Sequence, residues 1–150
     1  MYRNSITHHI TKVLVDIMFC GGIVCVILVP WLSKFIRDYL GYGEKGYWII
    51  TSILFSSGIS AVYILFNLKQ MFKTLLGGNP FIEKNISCLR KIAVACASIA
   101  LIYIIKCVIM FSIPTVIIVL VFTIGTLFCL TLKDIFKQAI FYKEEHDWTV

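Results

Sequence analysis

The sequence predicts an all-α integral membrane protein, a four-helix transmembrane bundle with amphipathic helical extensions on the cytoplasmic side. Of its 150 residues, 59% are hydrophobic and only 15% are charged, whereas soluble domains carry about 25% charged residues. A chain of this length has too small an interior to bury so much apolar surface. Its apolar residues form four long runs, and each run can cross roughly 30 Å of hydrocarbon as a helix.

The four predicted spans form a single membrane domain. They cover residues 13–32, 47–68, 92–113 and 115–132, with an inner loop at 69–91 and a tail at 133–150. Helices are expected because an open strand edge in lipid leaves backbone amides and carbonyls unpaired. Small residues four positions apart, such as Ala93 and Ala97, favour close packing of spans two and three, within one chain or between copies.

The inner loop is predicted to begin and end in helix. Span two should continue to about Leu76, where Gly77 and Gly78 can end it, since glycine reaches the left-handed conformation at little cost. Asn79 and Pro80 are residue types preferred at the N-cap and the first position of a helix. We therefore expect the third helix to begin there and to run directly into span three.

The last two spans are predicted to form a hairpin followed by an amphipathic tail. Little more than Ser112, Ile113 and Pro114 separates them, and proline suits the first turn of a new helix because it lacks an amide hydrogen. After span four, apolar residues recur at the spacing of an amphipathic helix: Leu132, Ile135, Phe136, Ala139 and Ile140. We expect the tail and the inner loop to lie against the membrane surface or against each other.

The positive charges indicate the orientation of the chain. Ten of the fourteen lysine and arginine residues lie on the side that holds both termini and the inner loop, and three lie in the outer loop. Since Lys-rich and Arg-rich loops remain in the cytoplasm, both termini should be cytoplasmic. The net charge of +6 is therefore mostly a topology signal, and we expect no direct binding of nucleic acid.

Two charged residues lie inside the predicted spans, where charges are costly and often functional. Asp16 is four residues into span one, and Lys12 can pair with it from one turn earlier. Lys106 lies about 10 Å from the outer end of span three, a depth from which lysine can reach the interface or pair with Asp38 or Glu44. Because Asp16 and Lys106 differ in depth by roughly 15 Å, no direct ion pair between them is expected.

No catalytic, cofactor or metal site is expected. The six cysteines contain no C-x-x-C pair, and none lies in an outer loop, so we interpret them as small apolar fillers. His8, His9 and His146 can approach the tail acids at the cytoplasmic face, but nothing in their spacing fixes a metal geometry. Phosphate loops, dinucleotide fingerprints and nucleophile motifs are absent from the sequence, so an enzyme is the least favoured class.

Two segments resemble a known family. The first contains Gly78-Asn79-Pro80-Phe81, Glu83-Lys84-Asn85 and Leu89-Arg90-Lys91-Ile92, and the second contains Asp134-Ile135-Phe136 and residues 143–150. Both resemble the YoaS-like group, a bacterial family of small four-span membrane proteins with no assigned function, although Trp148 departs from the expected aliphatic residue. The resemblance implies a membrane component of a regulatory or stress-response pair, since such proteins are often encoded beside a small helix-turn-helix regulator. It implies no reaction, substrate or cofactor.

We therefore expect a non-enzymatic regulatory or interaction subunit of the bacterial cytoplasmic membrane. The candidate interaction residues are Asn79, Pro80, Phe81, Arg90, Lys91, Glu144, Glu145 and Asp147. In this interpretation the first three shape the inner loop, and the tail acids meet the two basic residues or a cytoplasmic or membrane protein partner. A homo-oligomer remains open. The alternative is a small oligomeric transporter or channel subunit, which would need Asp16 or Lys106 on a water-accessible path.

Overall fold

The computed structural model describes residues 6–40, 43–77 and 81–147, and every regular element in these ranges is an α-helix. The helices are α1 (Ile6–Leu40), α2 (Glu44–Leu76), α3 (Glu83–Ile109) and α4 (Ile113–Asp147). By length and composition, each of the four is long and apolar enough to cross a membrane. The prediction of four long apolar helices is confirmed, and α1, α2 and α4 extend well beyond their predicted spans.

Consecutive helices pack against each other in antiparallel order. Among the described residues, α1 contacts α2, α2 contacts α3 and α3 contacts α4, whereas no Cα atom of α1 lies within 8 Å of α3 or α4. The bundle is therefore open between α1 and α4. One end, which we call the basic end, comprises the start of α1, the end of α2, the start of α3 and the end of α4.

Helix α3 forms the core of the array. A third of its most apolar 18-residue stretch is buried, against 11% or less in the other three helices. Its buried side chains include the small residues Ala93, Cys96 and Ala100. A Cβ added to Gly125 of α4 would lie 3.9 Å from Sγ of Cys96, an ordinary contact distance. Small side chains at this position let α3 and its neighbours approach closely.

Two glycines bring α1 and α2 close together. A Cβ on Gly58 would lie only 2.9 Å from Cγ2 of Val26, and a Cβ on Gly22 would lie 3.1 Å from Cδ1 of Leu65. By contrast, nothing lies within 4 Å of the same position on Gly21. The contact between α1 and α2 therefore depends on the absence of a side chain at Gly58 and Gly22.

Polar contacts also join α1 and α2 near the end opposite the basic end. The hydroxyl of Thr51 donates to the hydroxyl of the buried Ser33 at 2.9 Å, and Ser33 donates to the backbone carbonyl of Pro30 at 3.1 Å. The hydroxyl of Tyr47 lies 3.5 Å from the same carbonyl. Each of these groups would be costly in an apolar environment without a partner, so the contacts favour the observed pairing of the two helices.

The end of α2 agrees with the sequence prediction. α2 ends at Leu76 with Gly77 as its C-cap, and the amide of Gly77 donates to the carbonyl of Lys73 at 3.2 Å. The φ angle of Gly77 is −74°, so the helix stops here without the left-handed conformation that glycine would allow.

The predicted start of α3 is wrong. The helix begins at Glu83, and Ile82 rather than Asn79 occupies the N-cap position in an extended conformation. Asn79 and Pro80 themselves lie outside the described residues, but Phe81 is described and is not helical. Phe81 thus precedes the helix, and its ring packs on Phe136 of α4.

The break before α4 is confirmed close to its predicted position. The carbonyl of Ser112 accepts the amide of Thr115 at 3.0 Å, and the two hydroxyls lie 2.8 Å apart. The helix then runs without interruption to Asp147, so the predicted tail helix continues span four. Within it Phe136 is half-buried, but Ile135 is 51% exposed and does not belong to the packed face.

Candidate functional site

A groove at the basic end combines the inner loop and the tail, the two segments that the sequence singles out. It lies between the first turns of α3 and the last turns of α4 and has a volume of about 710 Å³. The lining residues are Glu83, Ile86, Ser87, Arg90, Lys133, Asp134, Lys137, Ile140 and Phe141. This volume lies within the range of roughly 300–1,000 Å³ that is typical of ligand pockets.

An aromatic contact helps to hold the groove together. The rings of Phe81 and Phe136 lie 5.3 Å apart between centroids and are inclined by 51°. Tilted pairs at this distance contribute about 0.5–1.5 kcal/mol beyond the burial of their surface. The contact joins the segment that precedes α3 to α4.

The groove carries an apolar floor and a charged rim. Ile86 and Ile140 supply apolar surface, while Lys133 and Asp134 form an ion pair at 3.1 Å. Arg90 and Lys137 are exposed, and neither has a carboxylate within 4 Å among the described residues. An apolar centre with a polar, solvated rim is typical of surfaces that bind another protein.

A buried asparagine joins the start of α3, which forms one wall of the groove, to the end of α2. Asn85, in the first turn of α3, is completely buried, and its Oδ1 lies 2.5 Å from the hydroxyl of Thr74 near the end of α2. Buried polar groups are retained when they are hydrogen-bonded, and here the bond joins two helices. Asn85 is not among the site residues that the sequence predicts. Its signal was a polar side chain at helical spacing from Cys88, Leu89 and Ile92, all of which are buried.

The structure brings only part of the predicted interaction set together. Arg90 lines the groove, whereas Lys91, the next residue on α3, is exposed and does not line it. Phe81 does not line the groove either, but its ring contacts Phe136 on α4. Asn79 and Pro80 lie outside the described residues. The acidic side chains that share the groove with Arg90 are Glu83 and Asp134, which the sequence analysis did not select.

The tail acids lie farther along α4. Glu145 is exposed and is eight residues beyond Lys137, about 12 Å along the axis of a continuous helix. The backbone of Glu144 and Asp147 belongs to the same helix, and their side chains lie outside the described part of the structure. The described residues therefore show no contact between the tail acids and Arg90 or Lys91.

Asp16 has a different partner from the one expected. Its carboxylate lies 2.8 Å from Nζ of Lys69 on α2, and Lys12 is not its partner. The ammonium group of Lys69 also lies 5.3 Å from the centre of the Phe19 ring. A pair between helices was missed because sequence spacing reports neighbours on one helix but not those across an interface.

Lys106 lies nearer to a helix end than the predicted span boundary implied. Because α3 ends at Ile109, Lys106 is in its last turn, where a cation is favoured by the helix dipole. Its Nζ lies 5.6 Å from the centre of the Tyr103 ring, and Asp38 pairs with Arg37 instead. Asp16 and Lys106 are therefore at opposite ends of the array.

The cysteines and acidic residues form no metal cluster in the described ranges. Groups of three or more His, Cys, Asp or Glu side chains positioned for a metal ion are not found there, and the side chains of His8, His9 and His146 lie outside those ranges. Cys88 and Cys96 are free thiols packed in the core of α3, whereas Cys20 and Cys25 are exposed on α1.

Comparison with known proteins identifies the family without supplying a function. No curated protein and no solved structure matches the chain. Residues 36–150, which include all of α2, α3 and α4 and both walls of the groove, match a family described as "Protein of unknown function (DUF2975)". Since the match covers more than half of the sequence, the chain belongs to this family of proteins of unknown function.

Proposed function

We propose that the protein is a multi-pass protein of the bacterial cytoplasmic membrane with its basic end in the cytoplasm. Four helices of sufficient length and hydropathy support the membrane assignment. The excess of lysine and arginine at one end supports the orientation, because such residues are retained on the cytoplasmic side. Both termini then lie in the cytoplasm, as does the groove between α3 and α4.

In this membrane the protein acts as a non-enzymatic regulatory or interaction subunit. The observation that carries the proposal is the groove, whose apolar floor and charged rim are suited to an amphipathic segment of a partner protein. Arg90 and Lys137, which have no carboxylate within 4 Å in the described structure, would receive acidic side chains of that segment. The partner is a cytoplasmic or membrane protein, and the resemblance to the YoaS-like group supports a helix-turn-helix regulator.

The tail beyond the groove extends this surface. Glu145 is exposed on the last turns of α4, beside Glu144 and Asp147 in the sequence. These acids would meet basic residues of the same partner, while Asn79 and Pro80 would set the course of the chain into Phe81. The proposed interface thus has a basic part at the groove and an acidic part at the tail.

Site-specific photo-crosslinking in native membranes tests the proposal. A photoreactive residue replaces Ser87, which lines the groove, or Lys91, which lies one turn away on the same helix and does not line it. We expect a defined protein adduct from position 87 only, identified by mass spectrometry, and its loss in the Arg90→Glu variant. The absence of an adduct at position 87, or one that survives Arg90→Glu unchanged, would overturn the proposed role of the groove.

A further inference from the structure

A second cleft at the basic end lies between α1 and α2, away from the groove. Its volume is about 290 Å³, near the lower limit of about 300 Å³ for small-ligand pockets. The lining residues are Lys12, Val15, Asp16, Lys69, Phe72, Lys73 and Gly77. Three lysines and one carboxylate therefore converge on a small space between two helices.

The charges in this cleft do not cancel. Asp16 neutralises Lys69 through the 2.8 Å ion pair, in which the two side chains are 40% and 46% exposed. Lys12 and Lys73 are exposed, and neither has a carboxylate within 4 Å in the described part of the chain. Two positive charges thus remain beside the ion pair, and they suit an anion that carries at least one negative charge.

The position of the cleft relates it to the surface of the membrane. Asp16 lies four residues into the first apolar run, and Lys69 directly follows the second, so both mark the level at which apolar helix gives way to charged residues. Val15 is buried in the wall of the cleft, and Phe72 adds a further apolar surface. Large apolar side chains on the same turns of α1 are exposed to the surroundings: Leu14, Ile17 and Met18.

We propose that this cleft binds the phosphate of an anionic phospholipid headgroup, with Lys12 and Lys73 as the direct ligands. Basic pockets between transmembrane helices on the cytoplasmic side are suited to such headgroups, and the acyl chains would lie along the exposed apolar surface of α1. The ion pair with Asp16 positions Lys69 beside Phe19 and leaves its charge compensated, so the two other lysines determine the preference for an anion.

The chemistry of the cleft favours lipid over inorganic phosphate. Lysine is a flexible point charge that cannot bind phosphate in the bidentate manner of arginine, and no arginine within the described ranges lines the cleft. Such a site holds an isolated phosphate weakly. A lipid is also retained by its acyl chains, so the same two charges are sufficient to select an anionic headgroup from neutral ones. This proposal does not depend on the function of the groove.

Titration with short-chain phosphatidylglycerol tests the proposal. The full-length protein in neutral phosphatidylcholine nanodiscs is titrated with this lipid, and binding is measured by native mass spectrometry. Lys12→Gln/Lys73→Gln should weaken binding by about 25-fold, since each lysine near an anionic headgroup contributes about fivefold. The matched control is Lys84→Gln/Lys91→Gln, which removes two exposed lysines from the same end but outside the cleft, and it should change binding by less than about threefold.

Two further arms make each outcome decisive. Lys73→Arg retains the positive charge and should bind phosphatidylglycerol more tightly than Lys73→Gln. This difference excludes a general loss of structure as the reason for weak binding by the glutamine variant. An equal loss of lipid binding in the cleft variant and the control variant would show that the lipid is attracted to the whole basic end. This result would overturn the assignment of the headgroup to the cleft. Inorganic phosphate at millimolar concentration should not displace the lipid. Complete displacement would show that the cleft takes free phosphate, and it would overturn the lipid proposal.

Discussion

The close approach of α1 to Gly58 of α2 predicts that Gly58→Ala loosens the attachment of α1. The new Cβ would lie 2.9 Å from Cγ2 of Val26, at least about 0.6 Å closer than the 3.5–4.0 Å at which carbon atoms attract each other. Valine is nearly fixed in one rotamer within a helix, so its side chain cannot rotate away cheaply. Relief therefore requires a shift of one helix backbone relative to the other.

The size of the effect follows from two opposing contributions. Overpacking of a well-packed contact costs about 1–3 kcal/mol, whereas replacing glycine by alanine inside a helix stabilises by roughly 0.5–1 kcal/mol. Gly21→Ala is the matched control, because the second contribution is the same and nothing lies within 4 Å of its new Cβ. The difference in unfolding free energy between the two variants should therefore be about 1–3 kcal/mol, with Gly21→Ala the more stable.

Unfolding in mixed micelles of increasing sodium dodecyl sulfate content measures this difference. Trp31 on α1 and Trp48 on α2 lie on the two helices concerned, so their fluorescence, measured in a Trp148→Phe background, follows the unfolding of this pair. Gly22→Ala should fall between the other variants, because its new Cβ meets the end of a flexible leucine at 3.1 Å. Equal stability of Gly58→Ala and Gly21→Ala would refute the close packing of α1 on α2.

Three other predictions concern the polar and sulfur-containing residues. Asn85→Ala should lower the unfolding free energy by about 1–3 kcal/mol, because Asn85 joins α3 to α2. Asn67→Ala should cost less, since the side-chain amide of Asn67 donates to a carbonyl of its own helix. The same micelle titration compares the two variants, and the reverse order would contradict a linking role for Asn85. Lys106→Leu should change the unfolding free energy by less than about 1 kcal/mol, because Lys106 lies in the last turn of α3. A larger decrease in the unfolding free energy, measured in the same titration, would indicate that Lys106 has a buried partner. N-ethylmaleimide should leave the buried Cys88 unlabelled until the protein unfolds, as measured by mass spectrometry. Rapid labelling of Cys88 in the folded protein would contradict the packing of α3.

The sequence was sufficient to predict the helices, because the signal for a long apolar helix is contained in one continuous segment. The four helices, the end of α2 at Leu76 and the break at Ser112 all depend on local composition and on residues with strong backbone preferences. The start of α3 was missed because the preferences of Asn79 and Pro80 are weak priors. Contacts across the bundle, such as that of Phe81 with Phe136, outweigh them.

The candidate site was less predictable, since it depends on which helix faces overlap. Arg90 and Lys91 are adjacent basic residues and equivalent in the sequence, yet only Arg90 lines the groove. Lys69 and Asp16 are 53 positions apart and form an ion pair. The relative rotation and register of the helices decide both outcomes, and neither quantity can be read from spacing along one chain.

The restriction of helix contacts to neighbours along the chain has a consequence for biogenesis. Because α2 packs on α1, α3 on α2 and α4 on α3, no helix has to wait for a distant part of the sequence before it finds its contact surface. Local contacts require little loop closure and allow rapid folding. Each helix can therefore dock on its predecessor as soon as it has been synthesised, so assembly can proceed in the order of synthesis.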